Sequence, residues 1–305
     1  MSNTLESLQR QIKSSGELAS IVRTMKALAA TSVAQYERAV ESLDDYYRTV
    51  EKGLSVVLAS RQQQLMSEVT KGTTLLVIFG SDHGLVGRFN EQIATYALED
   101  YWLQQEGREL PEDIMIACLG EQVFTRISER GHYISGKFTM PISINAITPA
   151  VQSLLETIEA WQENAGVDRV LLLYNRPALK ASFESYGGTL VPVDLVKLAQ
   201  QQAEWQSRSL PTFTLPPEQL LSALLRQYFF VSLYRAFAFS LAAENASRLA
   251  AMQAAEKNIK ERLEELSSQY QQARQTAITE ELLDIISGFK ALRRKEEFLS
   301  EEGAM

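Results

Sequence analysis

Proline is missing from both ends of this 305-residue chain. All eight prolines lie between Pro111 and Pro217, so the first 110 residues and the last 88 have none. Glycine is nearly as scarce there. Only Gly16 and Gly53 interrupt the first 71 residues, and only Gly288 and Gly303 follow Pro217. Proline breaks helix interiors and glycine weakens them, so nothing at either end opposes a very long helix. Cysteine occurs once, as Cys118, which excludes an internal disulfide; its apolar setting, Ile114 to Leu119, reads as a buried strand. The two histidines, His83 and His132, are too few for a histidine-based zinc site. No apolar run approaches the length of a membrane span, and the start, Met1 to Glu6, lacks the basic and apolar regions of a secretory signal, so the expected location is cytoplasmic. A net charge of -8 disfavours nonspecific nucleic-acid binding.

What is present divides into three parts: residues 1–70, 71–210 and 211–305. From Leu18 to Val50, apolar or small residues recur at alternating steps of three and four: Leu18, Val22, Met25, Ala29, Ser32, Tyr36, Ala39, Leu43, Tyr46, Val50. That narrow seam predicts a coiled-coil helix from about residue 4 to 58, roughly 80 Å long at ~1.5 Å per residue. Pro216-Pro217-Glu218 is a good helix start. The helix it opens is aromatic and apolar through Phe237, then thins to Leu241, Asn245, Leu249, Met252, Ile259, Leu263, Leu266, Tyr270, Ala273 and Ala277. It predicts the antiparallel partner of the first helix. The tail Arg293 to Glu297 reads as a solvated, fraying end.

The centre alternates apolar β-branched runs with helical patterns. Strands are expected at Thr74–Gly80, Asp113–Leu119, Tyr133–Thr139, Arg169–Tyr174 and Thr189–Val196, and helices at Arg88–Glu106, Glu121–Arg130 and Pro149–Glu163. This order predicts a Rossmann-like α/β domain with a mostly parallel sheet, between the two coiled-coil helices.

Few motifs carry chemistry. Gly80 to Arg88 (GSDHGLVGR) follows a strand and precedes a helix, where phosphate loops lie, but has the spacing of neither a P-loop nor a dinucleotide fingerprint. Ser81, Asp82 and His83 are adjacent, and adjacent loop residues do not converge as a triad must. In the last helix Glu244, Arg248, Arg274, Gln275, Thr279 and Glu281 read equally well as solvated flanks or as contacts to a surrounding partner. The four-residue spacing of Glu244 and Arg248 predicts a pair worth only a few tenths of a kcal/mol.

Four separated motifs resemble the gamma subunits of F-type ATP synthases. They are Ile12-Lys13-Ser14 with Ile21 to Ser32 (IVRTMKALAATS); Ser81 to Asn90 (SDHGLVGRFN); Glu244 to Ala255 (ENASRLAAMQAA); and Ala273 to Gly288 (ARQTAITEELLDIISG). Lys26 stands where that family usually has an acid, Arg88-Phe89 replaces Gly-Leu, and thirteen residues follow Leu292. These departures resemble a divergent branch, similar to the alternative sodium-linked N-type.

The resemblance implies a non-catalytic rotor shaft without cofactor, in a complex on the cytoplasmic face of the membrane. Its implied partners are three alpha and three beta subunits, epsilon and the membrane ring of c subunits. It implies that Met25, Lys26, Glu244, Arg248, Arg274, Gln275, Thr279 and Glu281 face the alpha–beta ring, and that Asp82, Arg88 and Asn90 lie near epsilon or the rotor ring. Two other readings are a coiled-coil scaffold around an α/β module and a small α/β enzyme using the Gly80–Gly87 loop.

Overall fold

In the computed structural model, the structure describes residues 2–59, 72–104, 110, 113–178, 182–194, 198 and 212–302. The expected polar segment Gln200–Ser209 and the boundaries near 70 and 210 lie outside them. The chain divides into two compact units. One holds the two chain ends, up to Met25 and from Met252 on; the other is Lys26–Ala251.

Helix α1 runs Ser2–Ala59, and the last helix, α6, runs Pro217–Glu302. Pro217 opens α6 where its missing N–H costs nothing, and Leu220 N donates to Pro216 O at 3.0 Å. Between them come β1 (Thr73–Phe79), α2 (Phe89–Thr95), a π turn (Tyr96–Asp100), α3 (Tyr101–Gln104), β2 (Ile114–Leu119), α4 (Glu121–Glu129), β3 (Gly136–Phe138), α5 (Ile147–Ala165), β4 (Val167–Ala178) and β5 (Ser182–Val191). The sheet order is β3-β2-β1-β4-β5. β1 pairs parallel with β2 and β4, β2 pairs parallel with β3, and β5 returns antiparallel along β4.

Strand periodicity divides the core. Leu75, Val77, Phe79, Leu119, Leu172 and Tyr174 point to one face, with α5, α6 and Tyr36 and Val40 of α1. Leu76, Ile78, Ile116, Cys118, Leu171 and Leu173 point to the other, under α2, α3 and α4. With both faces covered, β1 is apolar at nearly every position rather than alternating. Burial pushes the Cys118 thiol up to about 12, and it behaves as a small core hydrophobe.

The strand expected at Thr189–Val196 is Ser182–Val191. Glycine weakens strands in general, but at Gly187 a Cβ would sit 2.4 Å from the Tyr101 ring, so glycine is what lets the strand pass beneath it. The helix expected over Arg88–Glu106 is present from Phe89 to Gln104 and passes through the π turn without a break. The charged tail from Arg293 on continues α6, which runs to Glu302.

The expected coiled-coil seam on α1 is covered at eight of its ten positions, all but Leu18 and Tyr46. In the unit of chain ends, Leu5, Leu8, Ile12, Ser15, Ala19 and Val22 are the half-covered positions, and Leu18 is exposed. Their counterparts on α6 are Met252, Ile259, Leu263, Leu266, Tyr270, Ala273 and Ala277, as expected, and Arg23 lies 3.6 Å from Glu256. In the larger unit α1 turns inward Ala29, Tyr36, Val40, Val50, Leu54 and Leu58, while Tyr46 is exposed. There the helix lies on a broad core rather than a two-helix seam, so its stripe follows 3.6 residues per turn and drifts off the heptad. The pairing of α1 with α6 in this unit is antiparallel: Asp44 meets Arg235, Tyr46 meets Gln227, and Gly53 faces Leu224.

Candidate functional site

The β1–α2 loop is fixed by side chains rather than left as an open cradle. Ser81 is fully buried; its N–H donates to Asn90 Oδ1 (2.9 Å), and Asn90 Nδ2 donates back to Ser81 Oγ (2.8 Å). Ser81 Oγ donates to the backbone oxygen of His83 (2.9 Å), not to its ring, so no nucleophile–base pair forms. Both carboxylate oxygens of Asp82 are used: Oδ1 accepts from Glu121 N (3.1 Å) and Oδ2 from Met140 N (2.8 Å). The first places a negative charge at the N-terminus of α4, where the helix dipole favours it and where a phosphate would otherwise sit.

Gly120 allows this closeness. Its φ is +109°, and a Cβ would lie 2.7 Å from Ser81 N. Leu85 turns the loop with φ +62° and leaves its side chain exposed. Ser247 of α6 then ties the loop down by donating to Val86 O at 2.6 Å. Arg88 is exposed, whereas Asn90 is buried and bonded within the chain.

Further along α6, Arg248 Nη2 donates to Glu244 Oε1 at 2.6 Å and Nη1 to Asn245 Oδ1 at 3.3 Å. The two side chains are only 13% and 8% exposed. This corrects the expectation of a weak surface pair, because a buried pair that loses one partner costs about 3–5 kcal/mol. Burial is the largest influence on Glu244 and raises its carboxyl above the ordinary value; Arg248 opposes this, Asp82 adds to it and His83 opposes it. Glu244 and Arg248, with Asp82, His83, Tyr36 and Met140, line a cavity of about 210 Å³. Lys26 is half-buried in this unit.

The unit of chain ends has a different surface. Met25 is half-buried in its seam. Arg274, Gln275, Thr279 and Glu281 are exposed, and Thr279 Oγ1 donates to Gln275 O at 2.9 Å. Beside them Ile278, Leu282, Leu283, Ile285 and Ile286 are each 50–55% exposed. Sequence reasoning passed over these five. The signal was available in the apolar doublets Leu282-Leu283 and Ile285-Ile286, which continue past the last seam residue, Ala277. Consecutive uncovered apolar residues of this kind mark a contact surface. Among the described residues, no cluster of three His, Cys, Asp or Glu is placed to hold a metal, and no helix is long and apolar enough to cross a membrane.

Known proteins resemble the chain over most of its length. The sequence profile of the ATP synthase family matches residues 4–292. ATP synthase gamma chains are similar from end to end. That of Streptococcus pneumoniae is 29% identical over 304 residues, covering 96% of this chain and 100% of its own. That of Thermobifida fusca is 28% identical over 300 residues, covering 96% and 97%. Among solved structures, a chain of the Euglena gracilis mitochondrial ATP synthase OSCP/F1/c-ring assembly has the same fold, with TM-score 0.68 and 18% identity over 97% of each chain. A chain of the Tetrahymena thermophila mitochondrial ATP synthase central stalk/c-ring matches with TM-score 0.55 and 22% identity, covering 77% of this chain and 99% of its own. A sheet flanked by two long helices and a family match over nearly every residue place this chain in the ATP synthase gamma family, the non-catalytic central-stalk subunit.

Proposed function

We propose that this chain is the rotating shaft of its complex, and that the end of α6 is the part the catalytic subunits read. The observation that carries this is the uncovered surface made by Ile278, Leu282, Leu283, Ile285 and Ile286 beside Arg274, Gln275, Thr279 and Glu281. In this reading the partners are three alpha and three beta subunits around the coil, with Met25 and Lys26 belonging to the same set of contacts and Glu244 and Arg248, paired with each other and nearly buried, acting behind that surface to hold its shape. Epsilon and a ring of c subunits meet the α/β part, with Asp82, Arg88 and Asn90 on that side. The complex translocates protons or sodium ions, and the chain joins it peripherally on the cytoplasmic face. The three parts 1–70, 71–210 and 211–305 serve as shaft helix, base and second shaft helix.

The mechanism is differential contact. A shaft with different residues around its circumference, set in a ring of three similar sites, touches each site differently. Turning it changes which site favours bound ATP, bound products or emptiness. A shaft that contacted all states equally would shift none of them. Co-expression with alpha and beta subunits from the same genome tests this. The reading predicts one copy per three alpha–beta pairs. This chain forming its own oligomer, with no alpha–beta association, would overturn it.

A further inference from the structure

Glu244 gives Arg248 only one of its two carboxylate oxygens, Oε1. We propose that the cavity of about 210 Å³ beside it is a binding site for a primary ammonium group, with Glu244 as counter-ion and the Tyr36 hydroxyl as a second acceptor. Four stretches of the Lys26–Ala251 unit meet there: α1, the β1–α2 loop, the segment after β3, and α6. The cavity opens to solvent on one side, so a guest can enter.

Two oxygens are left over and can be reached. Glu244 is only 6% exposed, and its Oε2 has no hydrogen-bond partner among the described residues. The hydroxyl of Tyr36, a residue also 6% exposed, has none either. Neither atom is sealed: among the described residues, the unpaired side-chain atoms closed off from solvent are Arg235 Nε and Ser240 Oγ. Both residues line the cavity, so it is from there that a donor reaches them.

The surrounding charge favours a cation. Burial raises the Glu244 carboxyl even with Arg248 bonded to it, so one guanidinium does not offset the cost of burying the carboxylate. Asp82 adds to the negative field and the exposed His83 opposes it. A second cation would lower the cost. A bare metal ion fits poorly, because calcium takes about six to eight oxygens. Most oxygens here are committed, both of Asp82 to backbone amides and Asn245 Oδ1 to Arg248. An ammonium asks for less: its N–H donors need only an acceptor each, and water at the open side serves the remainder. Leu241, Met140 and Pro141 offer its carbon stem an apolar wall.

The test uses the full chain with methylammonium as probe, read from the methyl resonances of Met140 and Leu241 by NMR. Tetramethylammonium, of the same charge but without N–H donors, is the control. Methylammonium is expected to bind saturably with a Kd on the order of 10 mM, suited to so small a ligand, and about tenfold more tightly than the control. Glu244→Gln keeps the side-chain shape and removes the charge, and should weaken methylammonium about tenfold. Tyr36→Phe removes only the hydroxyl, and should weaken it about threefold while leaving tetramethylammonium unchanged. Circular dichroism confirms that each variant is folded, and Tyr36→Phe decides alone if Glu244→Gln does not fold. Repeating the titration in assembly with alpha and beta subunits, an arm that rests on the shaft reading, separates two sources of the ammonium. Binding that persists marks a free amine. Loss of binding, with the same methyls already shifted as methylammonium shifts them, marks a lysine of the surrounding ring. No saturable binding to the free chain, equal affinity for tetramethylammonium, or binding indifferent to both substitutions would each overturn the proposal.

Discussion

The β1–α2 loop with its α6 anchor and the far end of α6 carry similar polar residues put to opposite use. Around the loop, polar groups are consumed internally: Asp82 holds two backbone amides, Asn90 pairs with Ser81, and Glu244 pairs with Arg248. At the end of α6, Arg274, Gln275, Thr279 and Glu281 face outward beside uncovered leucines and isoleucines. Motif likeness made partner contacts of nearly all of them: Glu244, Arg248 and the end of α6 toward the alpha–beta ring, Asp82 and Asn90 toward epsilon or the rotor ring. Burial separates them into a frame that sets the shape of the base and a surface free to touch something else. The two kinds should respond to substitution differently, the first in stability and the second in coupling.

The largest effect is expected at Glu244. Glu244→Ala leaves the nearly buried Arg248 guanidinium with only Asn245, and should lower unfolding free energy by about 3 kcal/mol in a denaturant titration at pH 7. A change below about 0.5 kcal/mol would move Glu244 out of the frame. Next is Asn90→Ala, which strips the buried Ser81 N–H of its acceptor and should cost about 1–3 kcal/mol. Gly120→Ala forces a Cβ toward the Ser81 backbone at φ +109°, and should cost a similar 1–3 kcal/mol by the same measurement.

Glu244 also gives a pH dependence with a definite sign. Its folded carboxyl is raised, with burial the main cause, so between its ordinary value of 4.5 and the raised one the native state binds more protons than the unfolded state. Its contribution to stability is therefore fully present below about 4.5 and falls as pH rises through that window. The stability difference between the wild type and Glu244→Gln should shrink with rising pH; a difference that grows would reverse the assignment. The smallest stability effect belongs to the exposed surface. Arg274→Ala with Gln275→Ala should change unfolding free energy by less than about 0.5 kcal/mol.

The architecture was legible where local chemistry decides it. Missing proline and glycine marked both long helices, Pro217 marked the start of α6, and the apolar run of β1 marked the central strand. Features that depend on what lies opposite were not. The extension of β5 back through Gly187 depends on Tyr101, whose ring leaves no room for a Cβ there. Leu18 and Tyr46 fit a heptad on paper, but Ala19 and Val40 face inward because the two stretches of α1 pack against different surfaces. The four-residue spacing of Glu244 and Arg248 is the same on a surface or in a core. Only the packing of α6 against the loop, through Ser247 and Val86, determines which.

The central claim is that the end of α6 transmits torque while the loop network merely holds shape. ATP-driven ion pumping by the assembled complex, compared between wild type and the Arg274→Ala/Gln275→Ala variant at matched subunit content, tests it most directly. The account predicts intact assembly and unchanged unfolding with pumping per ATP clearly reduced. Full pumping by the variant would contradict it and remove these residues from the coupling surface.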